Sequence, residues 1–251
     1  MRLILLWVVL AGMVWGQGRA VGQTAPTQAP VQTDAAKLAA MQKKLDDWPQ
    51  LERYREANAA LAAPAAGEKR VVFYGDSITD AWAQHPDWFF PGRPYVGRGI
   101  SGQTTPQMLV RVQQDVVHLQ PAVAVILAGT NDIAGNTGPS SPEMIEDNFE
   151  SMIAIARANG IRVVVSSILP ADHFAWRPGV QPAEQIRAMN RRLKAMCVRE
   201  GLVYLDYYTA MVNAQGGLDP DLAKDGVHPT AKGYAVMSPL AEKAIAEALA
   251  R

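Results

Sequence analysis

Ser77 stands in the segment Gly75-Asp76-Ser77-Ile78-Thr79, directly after the apolar run 71–74. About 150 residues later, Asp225 and His228 lie three positions apart in Asp225-Gly226-Val227-His228-Pro229. A serine hydroxyl is a poor nucleophile at neutral pH. It needs a base within hydrogen-bond reach, and that base needs a group that fixes its tautomer. Asp225 and His228 can supply both, because side chains three residues apart in one turn can meet. The carboxylate would hold Nδ1–H and leave Nε2 to face Ser77.

Two further segments fall at expected strand ends: Gly99-Ile100-Ser101-Gly102-Gln103-Thr104-Thr105 and Gly129-Thr130-Asn131-Asp132. Each alone reads equally well as turn punctuation, with Asx side chains bonding their own backbone. Asp76 and Asp132 could pass for metal ligands beside Asp225, and the favoured reading is that they brace their turns. Of the other histidines, His85 sits among Trp82, Trp88, Phe89 and Phe90, His118 closes an amphipathic stretch, and His173 is a candidate substrate contact. His228 is preferred as base because it alone has a carboxylate three residues before it in a loop. There is no Gly-x-Ser-x-Gly elbow, which argues against an ordinary α/β-hydrolase.

The four segments, taken in this order, resemble the blocks of the SGNH hydrolases, also called GDSL-type lipases and esterases. The resemblance runs from about residue 70 to residue 249, with the defining positions unsubstituted. It implies a three-layer α/β/α, flavodoxin-like fold with a parallel five-stranded sheet, and carboxylic ester hydrolysis without metal or cofactor. It places the nucleophile at Ser77, the second-block glycine at Gly102, the third-block asparagine at Asn131, and the acid–base pair at Asp225 and His228. An oxyanion formed on attack would then meet the backbone N–H groups of Ser77 and Gly102 and the side-chain amide of Asn131. Glycine at 102 would let the backbone approach the reacting carbon closely.

These residues need a scaffold, and the alternation of the chain describes one. Residues 71–74, 122–128, 161–166 and 202–205 are short, apolar and rich in β-branched side chains, with residues 95–96 as a shorter fifth strand. Such runs read as strands buried on both faces. Between them lie helical stretches. Residues 182–200 put Ile186, Met189, Leu193, Met196 and Cys197 on one face, so Cys197 is expected to be a packing thiol. Residues 231–249 repeat the spacing, with Pro239 expected to bend that helix. Alternating strands and helices imply a parallel sheet whose ligands bind beyond the carboxyl ends of the strands.

With 24 basic and 24 acidic residues, no excess charge advertises a nucleic-acid partner or a membrane surface. A single cysteine excludes an intramolecular disulfide framework and a clustered-thiolate zinc site. Arg2 is followed by a largely apolar run, residues 3–14, of signal-peptide length. Residues 1–22 are therefore expected to be an export signal, with an uncleaved anchor as the alternative. Residues 23–35 read as a linker, 36–64 as a helical segment interrupted at Trp48-Pro49, and 65–251 as the hydrolase domain. The expected protein is an exported serine esterase with no stable membrane partner after cleavage. Its substrate would be a small-molecule or carbohydrate ester, a short acyl or acetyl ester, a lysophospholipid or a thioester. Trp82, His173 and Trp176 are the candidate substrate contacts. The alternative is a non-catalytic glycan-binding module using Trp82, Trp88 and Trp176 as stacking platforms.

Overall fold

The computed structural model describes residues 34–223 and 225–251. The expected export signal, 1–22, lies outside them, as does most of the expected linker. The last two linker positions, Asp34 and Ala35, instead open helix α1 (Asp34–Asp46), with the Asp34 carboxylate in its first turn. Helix α2 (Arg55–Ala60) follows after a run of turns that contains Pro49. Proline bars the residue before it from the α region, which separates the two helices here.

Five strands follow: β1 (Val71–Gly75), β2 (Tyr95–Gly99), β3 (Val123–Leu127), β4 (Arg162–Ser166) and β5 (Val203–Leu205). All pair in parallel, in the order β2-β1-β3-β4-β5. Between and after them run α3 (Ser77–Ala83), α4 (Thr105–Asp115), α5 (Thr130–Ile133), α6 (Pro142–Ala158), α7 (Pro182–Glu200), α8 (Tyr208–Met211) and α9 (Ala231–Ala250). Helix α9 continues through Pro239. Strands β1 and β3 are buried at every position, which is why they read as unbroken apolar runs.

Successive side chains of a strand point to opposite faces, and the sheet accordingly carries two cores. Val72, Tyr74, Ala124, Ile126, Val163 and Val165 pack under α4, α6 and α7, with Cys197 among them. Val71, Phe73, Val123, Val125, Leu127 and Val164 pack under α3 and α9. Parallel crossovers are right-handed, so a connection that reverses direction along the sheet must also change face. The chain moves outward from β1 to β2 through α3, then returns past β1 to β3 through α4. Consequently the carboxyl ends of β1 and β3 flank the switch point where open α/β sheets bind ligands.

A segment preceding β1 is bound through backbone carbonyls to α4 and the loop before it, and through side chains to β2. Gln107 Nε2 donates to Trp48 O (2.7 Å), Gln103 Nε2 to Pro49 O (2.7 Å) and Gln114 Nε2 to Leu51 O (2.8 Å). Asn58 bridges Asp115 and Arg98, each at 2.7 Å. Tyr54 packs between the guanidinium groups of Arg53 and Arg98, and its hydroxyl donates to the Gly99 carbonyl.

Candidate active site

Ser77 is the first residue of α3, immediately beyond β1. Asp76 caps that helix by accepting from Ile78 N–H (3.0 Å), and Ser77 N–H, in the first turn, has no intrahelical acceptor. The strand-to-helix turn is tight. A Cβ on Gly75 would lie 2.3 Å from Thr79 Oγ1 and 2.7 Å from Leu127 O, so only glycine fits. Tyr234 Oη donates to Ile78 O (2.8 Å), which ties α9 and the loop before it to the serine turn.

That loop carries Asp225 and His228. Asp225 Oδ1 accepts the backbone N–H groups of Val227 (3.0 Å) and His228 (2.7 Å), and Oδ2 meets His228 Nδ1 at 2.6 Å. The imidazole is thereby turned so that Nε2 lies 2.9 Å from Ser77 Oγ. Partial burial alone would raise the Asp225 pKa. The bonds from the His228 backbone, the His228 ring and Val227 outweigh it, and the carboxyl sits below its ordinary value. Asp225 therefore stays ionised beside the ring that would become positive.

The segments after β2 and β3 carry the other two candidates. Gly102 has φ +80°, a conformation L side chains rarely adopt, while a Cβ there would meet nothing nearer than Asn136 Nδ2 at 3.9 Å. The need for glycine that the structure displays is thus conformational. Asn131 Nδ2 donates to Gln103 O (2.9 Å) and faces Asp76 Oδ2 at 3.5 Å. Ser77, Gly102 and Asn131 thus lie on three connected segments beyond the carboxyl ends of β1, β2 and β3.

Asp76 is fully buried, and burial pushes its carboxyl up to about 7 against the Ile78 N–H bond and the attraction of His228. Asp132, also buried, accepts Thr105 N–H (3.0 and 3.1 Å) and Thr105 Oγ1–H (2.6 Å). Each aspartate braces a helix start, Asp76 that of α3 and Asp132 that of α4, and the Asp132 carboxylate also takes its own backbone N–H. Among the described residues no three His, Cys, Asp or Glu side chains converge as a metal would require.

The aromatic candidates divide. Trp82 is 2% exposed, stacked on Tyr234 and edge-on to Phe73, with its indole N–H given to Trp88 O. It is core and cannot touch substrate, which corrects its placement among the contacts and removes one platform from the glycan-module alternative. Trp176 is 41% exposed, stacked on Phe174, its ring centroid 6.4 Å from that of His228. His173 is exposed, bonded to its neighbour Asp172 at 2.6 Å. A Cβ on Gly226 would lie 2.9 Å from its ring, so His173 flanks the loop of Asp225. His85 stacks on Trp88 at 3.9 Å. Cys197 is buried, and burial pushes its thiol up to about 12, as suits a packing thiol.

Three residues that frame the site were missed by the reading of the sequence: Gln103, Arg111 and Asn136. Arg111, on α4, is completely buried and paired with Asp115 at 3.0 Å. It donates to Gly75 O (2.9 Å), Arg98 O (2.9 Å) and Gln103 Oε1 (2.5 Å), and its guanidinium lies over the Tyr74 ring. The available signal was the i, i+4 spacing of Arg111 and Asp115 on a helix whose Met108 and Val112 are core.

A serine, an imidazole and a carboxylate hydrogen-bonded in series at the switch point of a parallel sheet form a constellation suited to acyl transfer. Residues 73–236, more than half of the chain, match the GDSL-like lipase/acylhydrolase family, and the chain belongs to it. Esterase TesA of Pseudomonas aeruginosa is 29% identical over 134 residues, which are 53% of this chain and 60% of that protein. The crystal structure of a GDSL-like lipase from Bacteroides thetaiotaomicron VPI-5482 superposes with a TM-score of 0.77 at 44% identity, covering 80% of this chain and 99% of that one. An acetylxylan esterase from Geobacillus stearothermophilus shares the fold, with a TM-score of 0.59 at 19% identity over 74% of this chain and 95% of its own.

Proposed function

We propose that this protein is an exported serine esterase in which Ser77 is the nucleophile. The carrying observation is the series Ser77 Oγ to His228 Nε2 at 2.9 Å and His228 Nδ1 to Asp225 Oδ2 at 2.6 Å. In the first half-reaction Oγ bonds to the ester carbonyl carbon and its proton passes to Nε2. The carbonyl electron pair becomes an oxyanion, held by the N–H groups of Ser77 and Gly102 and the Asn131 amide. Collapse breaks the bond to the alcohol oxygen, which takes the proton from Nε2. Water repeats the sequence on the acyl-enzyme and frees the acid and Ser77. Asp225 holds the ring in the required tautomer and offsets its positive charge.

The substrate proposed is a short acyl ester, acetyl included, of a small molecule or carbohydrate, with lysophospholipid and thioester as the other acyl donors to test. The exposure of Trp176, its ring centroid 6.4 Å from that of His228, and of His173 beside Gly226 supports reading them as contacts for the alcohol or acyl portion. Export rests on Arg2 and the apolar run 3–14. A fluorophosphonate should add mass to the peptide containing Ser77, and Ser77→Ala should abolish both labelling and hydrolysis of p-nitrophenyl esters across an acyl-length series. Labelling at Ser101 or Ser167 would overturn the assignment. N-terminal sequencing of protein recovered outside the cytoplasm tests the export: an intact Met1 on a membrane-bound form would oppose it.

A further inference from the structure

An oxyanion-hole amide is useful only when its NH2 end faces the reacting oxygen, and a primary amide can sit with either end forward. In this fold the polarity of Asn131 is dictated by its neighbours. Gln103 O, an acceptor, lies 2.9 Å from Nδ2, and Asn136 Nδ2, a donor, lies 2.8 Å from Oδ1. Asn136 is an amide too, so its own polarity has to be set. The indole of Trp176 sets it. Its Nε1–H can only donate, and it lies 3.1 Å from Asn136 Oδ1. The opposite end of Asn136 is therefore the donor end, whose two hydrogens reach Asn131 Oδ1 and Gly102 O (3.1 Å).

The relay is held between the loops it joins. Asn136 N–H bonds to Asn131 O at 3.0 Å. Arg177, next to Trp176, donates Nε to Ala134 O and an Nη2 hydrogen to Gly135 O, both at 2.7 Å. The loop after β4 thus grips the loop after β3 just before Asn136.

We infer that Asn136, oriented by the indole N–H of Trp176, is a positioning residue that fixes the polarity of the Asn131 amide in the oxyanion hole. This rests on the esterase reading above, and it gives Trp176 a role in turnover distinct from substrate contact. A positioning group of this kind acts on the transition state and not on ground-state binding, so its removal lowers kcat at constant KM. Loss of an oxyanion-hole donor costs about 10²–10³ in kcat, which bounds the effect.

The test is a double-mutant cycle on p-nitrophenyl acetate hydrolysis, with thermal melting of every variant. Asn136→Ala should lower kcat by roughly 10–100-fold with KM unchanged and the pH profile unmoved, whereas in an Asn131→Ala background the same change should cost under about threefold. Asn136→Asp is nearly isosteric on an exposed side chain and keeps the fold, yet turns an acceptor on Asn131 Oδ1 and Gly102 O; it should lose at least as much as Asn136→Ala. Trp176→Phe keeps the ring and removes the N–H, so kcat should fall by a few-fold at constant KM, and the change should be neutral once Asn136 is alanine. Equal losses from Asn136→Ala in both backgrounds, near-native kcat for Asn136→Asp, or a Trp176→Phe effect confined to KM would each overturn the relay. A wild-type protein that neither labels with fluorophosphonate nor hydrolyses esters would overturn the underlying reading instead, and shows before any variant is made.

Discussion

The carboxylate of Asp132 takes both the backbone N–H and the hydroxyl of Thr105, at 3.0 and 2.6 Å to Oδ1. Asp132 follows Asn131 in α5, just beyond β3, and Thr105 opens α4 directly after the loop that carries Gly102. These two buried side chains thus join the segments that carry Gly102 and Asn131, two of the proposed oxyanion donors. Asn148 on α6 adds a third point, donating to Thr105 Oγ1 at 2.9 Å.

Asp132→Ala should therefore loosen two oxyanion donors together. It leaves the buried Thr105 N–H without its acceptor, a cost of about 1–3 kcal/mol, which for a domain of this size is a fall in Tm of a few degrees. Below the new Tm, kcat should drop while KM holds, and steady-state kinetics beside calorimetry would show it. Unchanged kcat in a folded variant would mean that the loops keep their register without this carboxylate.

Within the series of Ser77, His228 and Asp225, the expected losses are unequal. His228→Ala should reduce kcat by about 10⁶, with Ser77→Ala on top costing little more, because members of one catalytic unit are strongly non-additive. Asp225→Ala should cost about 10⁴. Comparison of single and double variants on one chromogenic ester decides it, and additive effects of Ser77 and His228 would contradict a shared proton transfer.

Asp76 predicts a pH dependence of stability. In the unfolded chain its carboxyl ionises near about 4, whereas in the folded protein burial pushes it up to about 7. The proton is held by the folded state over that window. Its stabilising effect is complete below the lower value and is lost as pH rises through the upper one. Asp76→Asn keeps an oxygen for the Ile78 N–H and stays neutral throughout, so its Tm should gain on wild type between pH 5 and pH 8. A Tm difference identical at both pH values would sink this account.

Arg111 and Asp115 are both fully buried, so neither can lose its partner cheaply. Arg111→Met should cost about 3–5 kcal/mol, a fall in Tm of roughly 10 °C at ~2–4 °C per kcal/mol. Adding Asp115→Asn should recover part of it, since the abandoned carboxylate is then gone. Chemical denaturation of the two variants measures this, and a second substitution that deepens the loss would count against the buried pair as the cause.

Local pattern was enough for much of this. Strands β1 and β3 are legible because burial on both faces demands apolar residues at every position, and α7 because its buried stripe recurs at helical spacing. Asp225 and His228 could be paired from sequence because three residues and one turn bring them together. The remaining contacts depend on distances that only the folded chain sets. Ser77 and His228 are 151 residues apart, and the chemistry of each was readable while their 2.9 Å approach was not. Trp82 and Trp176 look alike as tryptophans in polar, loop-bounded stretches. Tertiary packing buries the first against Tyr234 and leaves the second open beside His228. Gln103 and Asn136 carried no local signature, and Arg111 only its i, i+4 spacing to Asp115, because what singles them out is the set of backbone carbonyls and amides that other segments bring within hydrogen-bond reach. Sequence alone determines which groups can do the chemistry; the placing of β3 beside β1 at the switch point decides which of them meet, since parallel pairing sets strand neighbours by crossover and not by chain order.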